Sequence, residues 1–161
     1  MAEPDSTPPG DFDDEELHPV DQARLTSWLQ RNAQQYFITR DGIIGGHWNA
    51  SMFTFPISND GQMFQVRGTW NRAVAIERRE ELIAFFNERH MRHPWPKCYL
   101  MVLDDGSVRV ATAVTTAIGL GLSQHQLDRA IRIALANSLA VFAELSKRYP
   151  DPVASPPEPT A

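Results

Sequence analysis

Residues 98 to 116 constrain this chain most, because they predict two antiparallel strands joined by a tight turn. A nearly continuous apolar run ends at Leu103 and Asp104-Asp105-Gly106 follows. Beyond this turn, valine and threonine alternate with other residues as far as Thr116. Aspartate followed by glycine gives the backbone the freedom that a hairpin turn requires. We therefore expect an antiparallel sheet in the fold.

The residues before this hairpin mark the point at which a helix gives way to a strand. Apolar residues at helical spacing predict an amphipathic helix over about residues 77 to 91, with charged residues on its outer side. Pro94 and Pro96 cannot continue a helix. The chain is therefore expected to leave the helix there and to enter a strand at Lys97.

One helix and three strands are predicted ahead of this joint. Leu25, Trp28, Leu29 and Ala33 fall at helical spacing and predict a first helix that ends near residues 32 to 35. Strands are predicted at residues 36–39, 52–57 and 64–70, where β-branched and aromatic residues recur between turn signals. Pro56 marks an edge strand or the end of a strand.

The last predicted element is a long amphipathic helix. Ser123 and Gln126 have the spacing of a capping box. In this motif the serine side chain accepts the backbone N–H of the glutamine, and the glutamine side chain accepts the backbone N–H of the serine. Leu122 and Leu127 are placed as the accompanying hydrophobic staple, and Pro150 stops the helix. The predicted order is helix, three strands, helix, two strands, helix. This is an α+β fold, α-β-β-β-α-β-β-α, with an antiparallel sheet and helices mainly on one face.

Charge and proline divide the chain into a body and two tails. The first 21 residues hold eight acids and no lysine or arginine, whereas residues 22–150 carry a net charge of +5. Prolines collect in both tails, and such segments lack the apolar surface that offsets ordering entropy. We predict a disordered acidic tail at residues 1–20, a single domain at 21–150 and a second disordered tail at 151–161.

Composition predicts a cytoplasmic protein. The single cysteine, Cys98, excludes an intramolecular disulfide framework. The acidic N-terminus differs from a signal peptide, and no apolar run approaches the ~20 residues that span a bilayer.

No residue pattern in the chain predicts catalysis, a cofactor or a metal. His90 and His93 are three apart, but a zinc site needs further ligands and Pro94 breaks the helix beside them. Cys98 heads an apolar strand, where a thiol is inert. Asp104 and Asp105 fit a hairpin turn better than a pair of catalytic carboxylates, and the glycines at 42, 45 and 46 do not form a phosphate loop.

An ordered set of features resembles the YbjN family of bacterial proteins. These features are Val66-Arg67-Gly68-Thr69-Trp70-Asn71-Arg72, Phe86-Asn87 at a helix end, Trp95-Pro96-Lys97 before a strand, Asp105-Gly106, and Gly121-Leu122 with Gln126-Leu127. The resemblance covers the body and leaves out both tails. It implies a fold similar to that of type III secretion chaperones, which are small α+β homodimers that bind other proteins, and it implies no established enzymatic activity.

Strand alternation predicts a sheet face that the helices leave uncovered. If the phenylalanines and valines of the strands point to the helices, a mixed polar and methionine-containing face lies opposite. Together with two strand-end tryptophans and their basic neighbours, this predicts the partner-binding residues Met52, Met63, Arg67, Trp70, Arg72, Trp95, Lys97 and Arg109. For the tryptophans the alternative is a buried position at the sheet edge, and for the whole face it is an ordinary solvated surface.

Three classes of function are open at this point. The first is a non-enzymatic, chaperone-like or regulatory homodimer that binds another polypeptide. The second is nucleic-acid or other polyanion binding by the basic body, with the acidic tail as competitor; the glutamates interspersed among the helix arginines weigh against it. The third is an enzyme, for which no nucleophile, base and orienting group can be assembled.

Overall fold

The computed structural model describes residues 15–33 and 35–150, which form three α-helices and a six-stranded sheet. The helices are α1 (Gln22–Asn32), α2 (Arg79–Arg92) and α3 (Gln124–Arg148), and a 3-10 turn (Ile76–Arg78) precedes α2. The strands are β1 (Tyr36–Ile38), β2 (Ile44–Trp48), β3 (Ser51–Thr54), β4 (Met63–Ala75), β5 (Lys97–Val102) and β6 (Ser107–Ala117).

The sheet is antiparallel throughout, with strand order β1-β2-β3-β4-β6-β5. The predicted hairpin is β5 and β6, paired from Lys97↔Ala113 to Val102↔Val108. β4 and β6 form the long central pair, and β1 and β5 are the two edges. The predicted α+β class and antiparallel sheet are confirmed.

All three helices pack on one face of the sheet. The strand residues predicted to point toward them are buried, and these are Phe53, Phe55, Phe64, Val66, Val108 and Val110. From α3, Leu127, Ile131, Leu135, Phe142 and Leu145 join the same core. Burial of this apolar surface is the main driving force for the fold.

Strand β2 is an addition to the predicted order, which had three strands rather than four before α2. Its Gly45-Gly46 pair has low strand propensity, so the local sequence resembles a loop. Aromatic rings occupy the space that the missing side chains leave. A Cβ at Gly45 would lie 2.6 Å from the Phe37 ring, and one at Gly46 would lie 2.9 Å from the Trp48 ring. Ring packing against glycine therefore holds a strand that propensity disfavours.

The two ends of α3 are fixed by different side chains. The predicted capping box is confirmed, since the Ser123 hydroxyl accepts from the Gln126 N–H and the Gln126 side chain accepts from the Ser123 N–H. At the other end, the Arg72 guanidinium donates to the carbonyls of Ser146, at 3.4 Å, and Tyr149, at 2.6 Å. Arg72 thus satisfies carbonyl groups that a helix end leaves without partners.

The folded body begins earlier than the predicted boundary at residue 21. His18 and Leu122 form a β-bridge through two backbone hydrogen bonds, and the Val20 side chain is buried. Arg24 reinforces this contact by donating to the His18 and Leu122 carbonyls. Residues 18–20 therefore belong to the domain. Residues 1–14 of the tail predicted at 1–20, and the whole tail predicted at 151–161, lie outside the described residues.

Candidate partner-binding surface

The sheet face opposite the helices is here called the open face. No helix within residues 15–33 and 35–150 covers it. Strand pairing places its side chains in transverse rows. One row runs Phe37, Gly45, Thr54, Arg67, Ala113 and Lys97, and the next runs His47, Met52, Thr69, Ala111 and Tyr99. A third row holds Ala73, Arg109 and Met101.

The strand positions of the open face carry basic residues and no aspartate or glutamate. Arg67 and Lys97 are exposed and flank Ala113 in the same row, so their backbones are roughly 10 Å apart. Arg109 lies in the third row, two rows away from Arg67, and is half-buried. The Arg67 side chain is oriented by a 2.7 Å bond from its Nε to Gln65 Oε1. This face therefore attracts negative charge.

Small residues make the floor of the open face, and methionines lie around it. Ala111, Ala113 and Thr69 occupy the central strands between the arginines, so a flat partner can approach the backbone. Met63, which is 47% exposed, borders a depression of about 370 Å³ that also includes Asp60, Gln65 and Arg67. Methionine side chains adapt to irregular partners.

Five of the predicted partner-binding residues lie on the open face. They are Met52, Met63, Arg67 and Arg109 on β3, β4 and β6, and Lys97 on β5. Sequence reasoning missed Tyr99, Met101 and His47 on the same face. Tyr99 and Met101 follow Lys97 at a period of two, which is the signal that could have found them.

Trp70 and Arg72 lie on the helix side of the sheet. Trp70 is 1% exposed, and its Nε1–H donates to Ser146 Oγ at 3.2 Å. The register shift between Thr69 and Ala73 puts residues 70–72 opposite Val110 alone, and this bulge directs Arg72 to the end of α3. Both side chains hold α3 on β4, in line with the alternative of a buried tryptophan, and they are not part of the open face.

Trp95 is 64% exposed in the connection between α2 and β5. It lies two residues before Lys97, beside the edge of the sheet, and not on a strand of the open face. Of the two tryptophans predicted as anchors, Trp95 is the one whose ring is accessible.

His90 and Cys98, two residues of reactive types, are joined by a hydrogen bond that holds the fold together. His90 Nε2 accepts the Cys98 backbone N–H at 3.1 Å, which joins the end of α2 to the start of β5. Burial raises the pKa of the Cys98 thiol to about 11, so it carries little thiolate at neutral pH. His93 is exposed. Within residues 15–33 and 35–150, no group of three or more His, Cys, Asp or Glu side chains could hold a metal ion.

The basic residues of α2 and its preceding turn are mostly paired with carboxylates. Ion pairs join Arg78 to Glu81, Arg79 to Glu80, Arg89 to Glu144 and Arg92 to Glu88. The arginines that could have formed a basic helix surface are therefore largely neutralised by their neighbours. The strands of the open face hold no such carboxylates. In the turns beside them, Asp60 borders the depression next to Arg67, and the charge of Arg109 helps to lower the pKa of Asp105.

Comparison with known proteins identifies the family. The family model of YbjN, described as "Putative bacterial sensory transduction regulator", matches residues 21–147. The chain belongs to the YbjN family. No curated protein matches it.

A solved YbjN structure has the same fold. The crystal structure of YbjN from E. coli, titled "a putative transcription regulator", matches with a TM-score of 0.70 at 12% identity. The match covers 83% of this chain and 96% of that chain. The family description names a regulator and no enzymatic activity. No helix in the described part of the chain is long and apolar enough to cross a membrane.

Proposed function

We propose that this YbjN-family protein is a non-enzymatic regulatory module that binds an acidic segment of another polypeptide on its open face. The observation that carries the proposal is the charge of that face. Arg67, Lys97 and Arg109 share it, and its strand positions hold no carboxylate. A partner with carboxylates complements this surface, and complementary charge also speeds association.

A polypeptide fits the open face better than a nucleic acid does. The three strand cations of the open face are fewer than the ~6–10 phosphate contacts of a typical DNA-binding protein. The arginines of α2, which could have formed a second basic surface on the helix side, are paired with glutamates. Methionine and tyrosine beside the cations provide apolar contact area, as polypeptide interfaces do.

A chaperone-like homodimer is a further part of the proposal. Its support is the family resemblance of the sequence, which implies a fold similar to that of type III secretion chaperones, a class of small homodimers. Light scattering at micromolar concentration tests it: twice the monomer mass of 18.1 kDa supports the dimer, and the monomer mass contradicts it.

Charge reversal on the open face tests the binding proposal. The probe is a fluorescent peptide of alternating glutamate and tyrosine, measured by anisotropy with the full chain, beside an oligothymidylate of equal charge. Arg67→Glu combined with Lys97→Glu is expected to weaken peptide binding at least tenfold. Arg129→Glu combined with Lys147→Glu, at two exposed positions of α3, is the matched control and is expected to leave binding unchanged.

The outcomes separate the alternatives. Equal weakening by the Arg129→Glu and Lys147→Glu variant would show general charge attraction and contradict a site on the open face. Tighter binding of the oligothymidylate, lost in the Arg67→Glu and Lys97→Glu variant, would assign the face to nucleic acid instead.

A further inference from the structure

The chain ahead of α1 is anchored at one end of the sheet. His18 is held by two backbone hydrogen bonds to Leu122, and the nearby Ile118 N–H donates to the Gln62 carbonyl. Gln62 directly precedes Met63, the first residue of β4. Residues 15–17 are exposed. The chain ahead of His18 therefore starts beside the Met63 end of the open face.

The part of the chain ahead of this anchor, residues 3–16, is here called the N-terminal acidic segment. It holds seven aspartates and glutamates and no lysine or arginine. Five of the seven acids fall within residues 11–16, where Phe12 adds an aromatic ring. Carboxylates around an apolar side chain match a surface on which cations lie beside methionine and tyrosine. The segment is therefore complementary to the open face in charge and in apolar content.

The cations of the open face have no carboxylate partners within residues 15–33 and 35–150. Arg67, Lys97 and Arg109 take part in none of the ion pairs of this part of the chain. The buried Nε of Arg109 also makes no hydrogen bond there. Asp60 and Asp105, in the neighbouring turns, accept hydrogen bonds from serines of their own turns. Carboxylates from another segment can therefore complement these cations.

The N-terminal acidic segment is long enough to reach the open face. Arg67 and Lys97 share a row that lies four residues from the Met63 end of β4, or roughly 13 Å along the strands. Residues 11–14 precede His18 by four to seven positions, and an extended chain spans at most ~3.6 Å per residue. These residues therefore reach about 14–25 Å from the anchor, and the acids nearer the N-terminus reach farther.

We propose that the N-terminal acidic segment binds the open face of its own chain and competes there with the acidic partner. The inference rests on the proposed function, because it assigns an internal ligand to the same surface. A ligand joined to its site by a short linker has an effective concentration of about 1 mM, so weak contacts suffice. Two open faces from separate copies would instead oppose cation to cation. The segment thus supplies the complementary charge that a second sheet does not.

Zero-length crosslinking tests this contact without any partner. A carbodiimide joins a carboxylate to a lysine amine, and the sequence contains two lysines, Lys97 on β5 and Lys147 near the end of α3. The full chain is treated at low salt and at about 1 M salt, and the links are mapped by mass spectrometry. As a matched control, the Arg129→Lys variant places an exposed amine in the second turn of α3, close to the anchor at Leu122.

We expect the N-terminal acidic segment to link to Lys97 and not to Lys147 or to position 129 of the variant. About 1 M salt should remove the links, because it screens exposed charges. Equal linking at Lys97 and at position 129 would overturn the proposal, and so would the absence of a link to Lys97. A mixture of unlabelled and isotope-labelled chains identifies the source of the segment. Links between a light and a heavy chain would show that a second copy supplies it, which would also overturn the proposal.

The affinity for the acidic peptide measures the competition. One variant of the full chain neutralises three acids of the segment, Asp11→Asn, Asp13→Asn and Asp14→Asn. The matched control neutralises three acids outside it, Asp41→Asn, Asp151→Asn and Glu158→Gln. The first variant should bind the peptide about tenfold more tightly, since an occupied site lowers the apparent affinity, and the control should bind it as the wild type does. Equal gains in both variants would reflect net charge alone and would contradict the competition.

The two experiments separate this inference from the proposed function. Links to Lys97 in a protein that binds no acidic peptide would support the internal contact and contradict the proposed function. Peptide binding that is lost in the Arg67→Glu and Lys97→Glu variant would support the proposed function. If the wild type then showed no link to Lys97, and neutralising the segment gave no gain in affinity, the internal contact would be overturned.

Discussion

His90 accepts the backbone N–H of Cys98 at 3.1 Å, and this bond ties the end of α2 to the edge of the sheet. Replacing the acceptor leaves a partly buried N–H without a partner. We therefore expect His90→Ala to lower the free energy of unfolding by about 1 kcal/mol. Urea denaturation measures the change. His93→Ala removes an exposed imidazole nearby and should change stability by less than ~0.5 kcal/mol; equal effects of the two substitutions would contradict the role given to His90.

The Cys98 thiol should react slowly in the folded protein. Its pKa is raised from 9.0 to about 11 by burial, so the thiolate fraction at pH 8 is ~100-fold smaller than for an ordinary thiol. Alkylation by iodoacetamide, followed by mass spectrometry, measures the rate. The same reaction in denaturant provides the reference, and a native rate close to the denatured one would argue against this burial.

Tyr149 should stabilise the folded state in a pH-dependent way through Glu81. The Tyr149 hydroxyl donates to Glu81 Oε2 at 2.8 Å and lowers the pKa of this carboxyl below its usual 4.5. A carboxyl whose pKa is lowered by folding adds stability above its unfolded pKa and loses it as the pH falls through the folded value. Wild type should therefore exceed Tyr149→Phe in urea midpoint at pH 7, by a margin that shrinks below pH 4.5.

The matched control for this pair is Tyr36→Phe, which removes an exposed hydroxyl bonded to Gln30. Its urea midpoint relative to wild type should show no such change between pH 7 and acidic pH. A constant difference between wild type and Tyr149→Phe would count against the contribution of Glu81.

The two tryptophans that were predicted as anchors should differ sharply in their effect on stability. Trp70 is 1% exposed and packs under α3, so Trp70→Ala should cost about 3–5 kcal/mol. Trp95 is 64% exposed, and Trp95→Ala should cost less than ~0.5 kcal/mol. Thermal and urea unfolding provide the comparison. A large loss in the Trp95 variant would place its ring in a contact within the domain.

Arg72 should be required for stability through the end of α3. Arg72→Met keeps much of the aliphatic length but removes the donors to the Ser146 and Tyr149 carbonyls. Hydrogen bonds from a charged donor contribute about 1.5–3 kcal/mol, and we expect a loss of about that size in urea denaturation. Arg129→Met, at an exposed position in the second turn of α3, is the control. Hydrogen exchange should locate the effect of Arg72→Met in the last turns of α3.

Much of the fold was predictable where one short segment contains its own signal. The turn at Asp105-Gly106 and the capping box of Ser123 and Gln126 are local, because the bonding groups are within a few residues of each other. Alternation along β4 and β6 likewise predicted which side chains face the helices. Strand β2 could not be predicted in this way, because Gly45 and Gly46 become strand residues only when Phe37 and Trp48 cover them.

The candidate site, like the fold, has features that the local sequence predicts and features that only tertiary packing decides. Sequence alone determined the α+β class, the antiparallel hairpin and the polar alternation that gives the open face its Met52, Arg67 and Arg109. Only the tertiary structure decided that Trp70 and Arg72 serve α3, that Tyr99 and Met101 join the open face, and that β5 is an edge of the sheet. The physical reason is range: alternation and capping depend on neighbours in the chain, whereas burial, bulges and edges depend on which distant segment packs alongside.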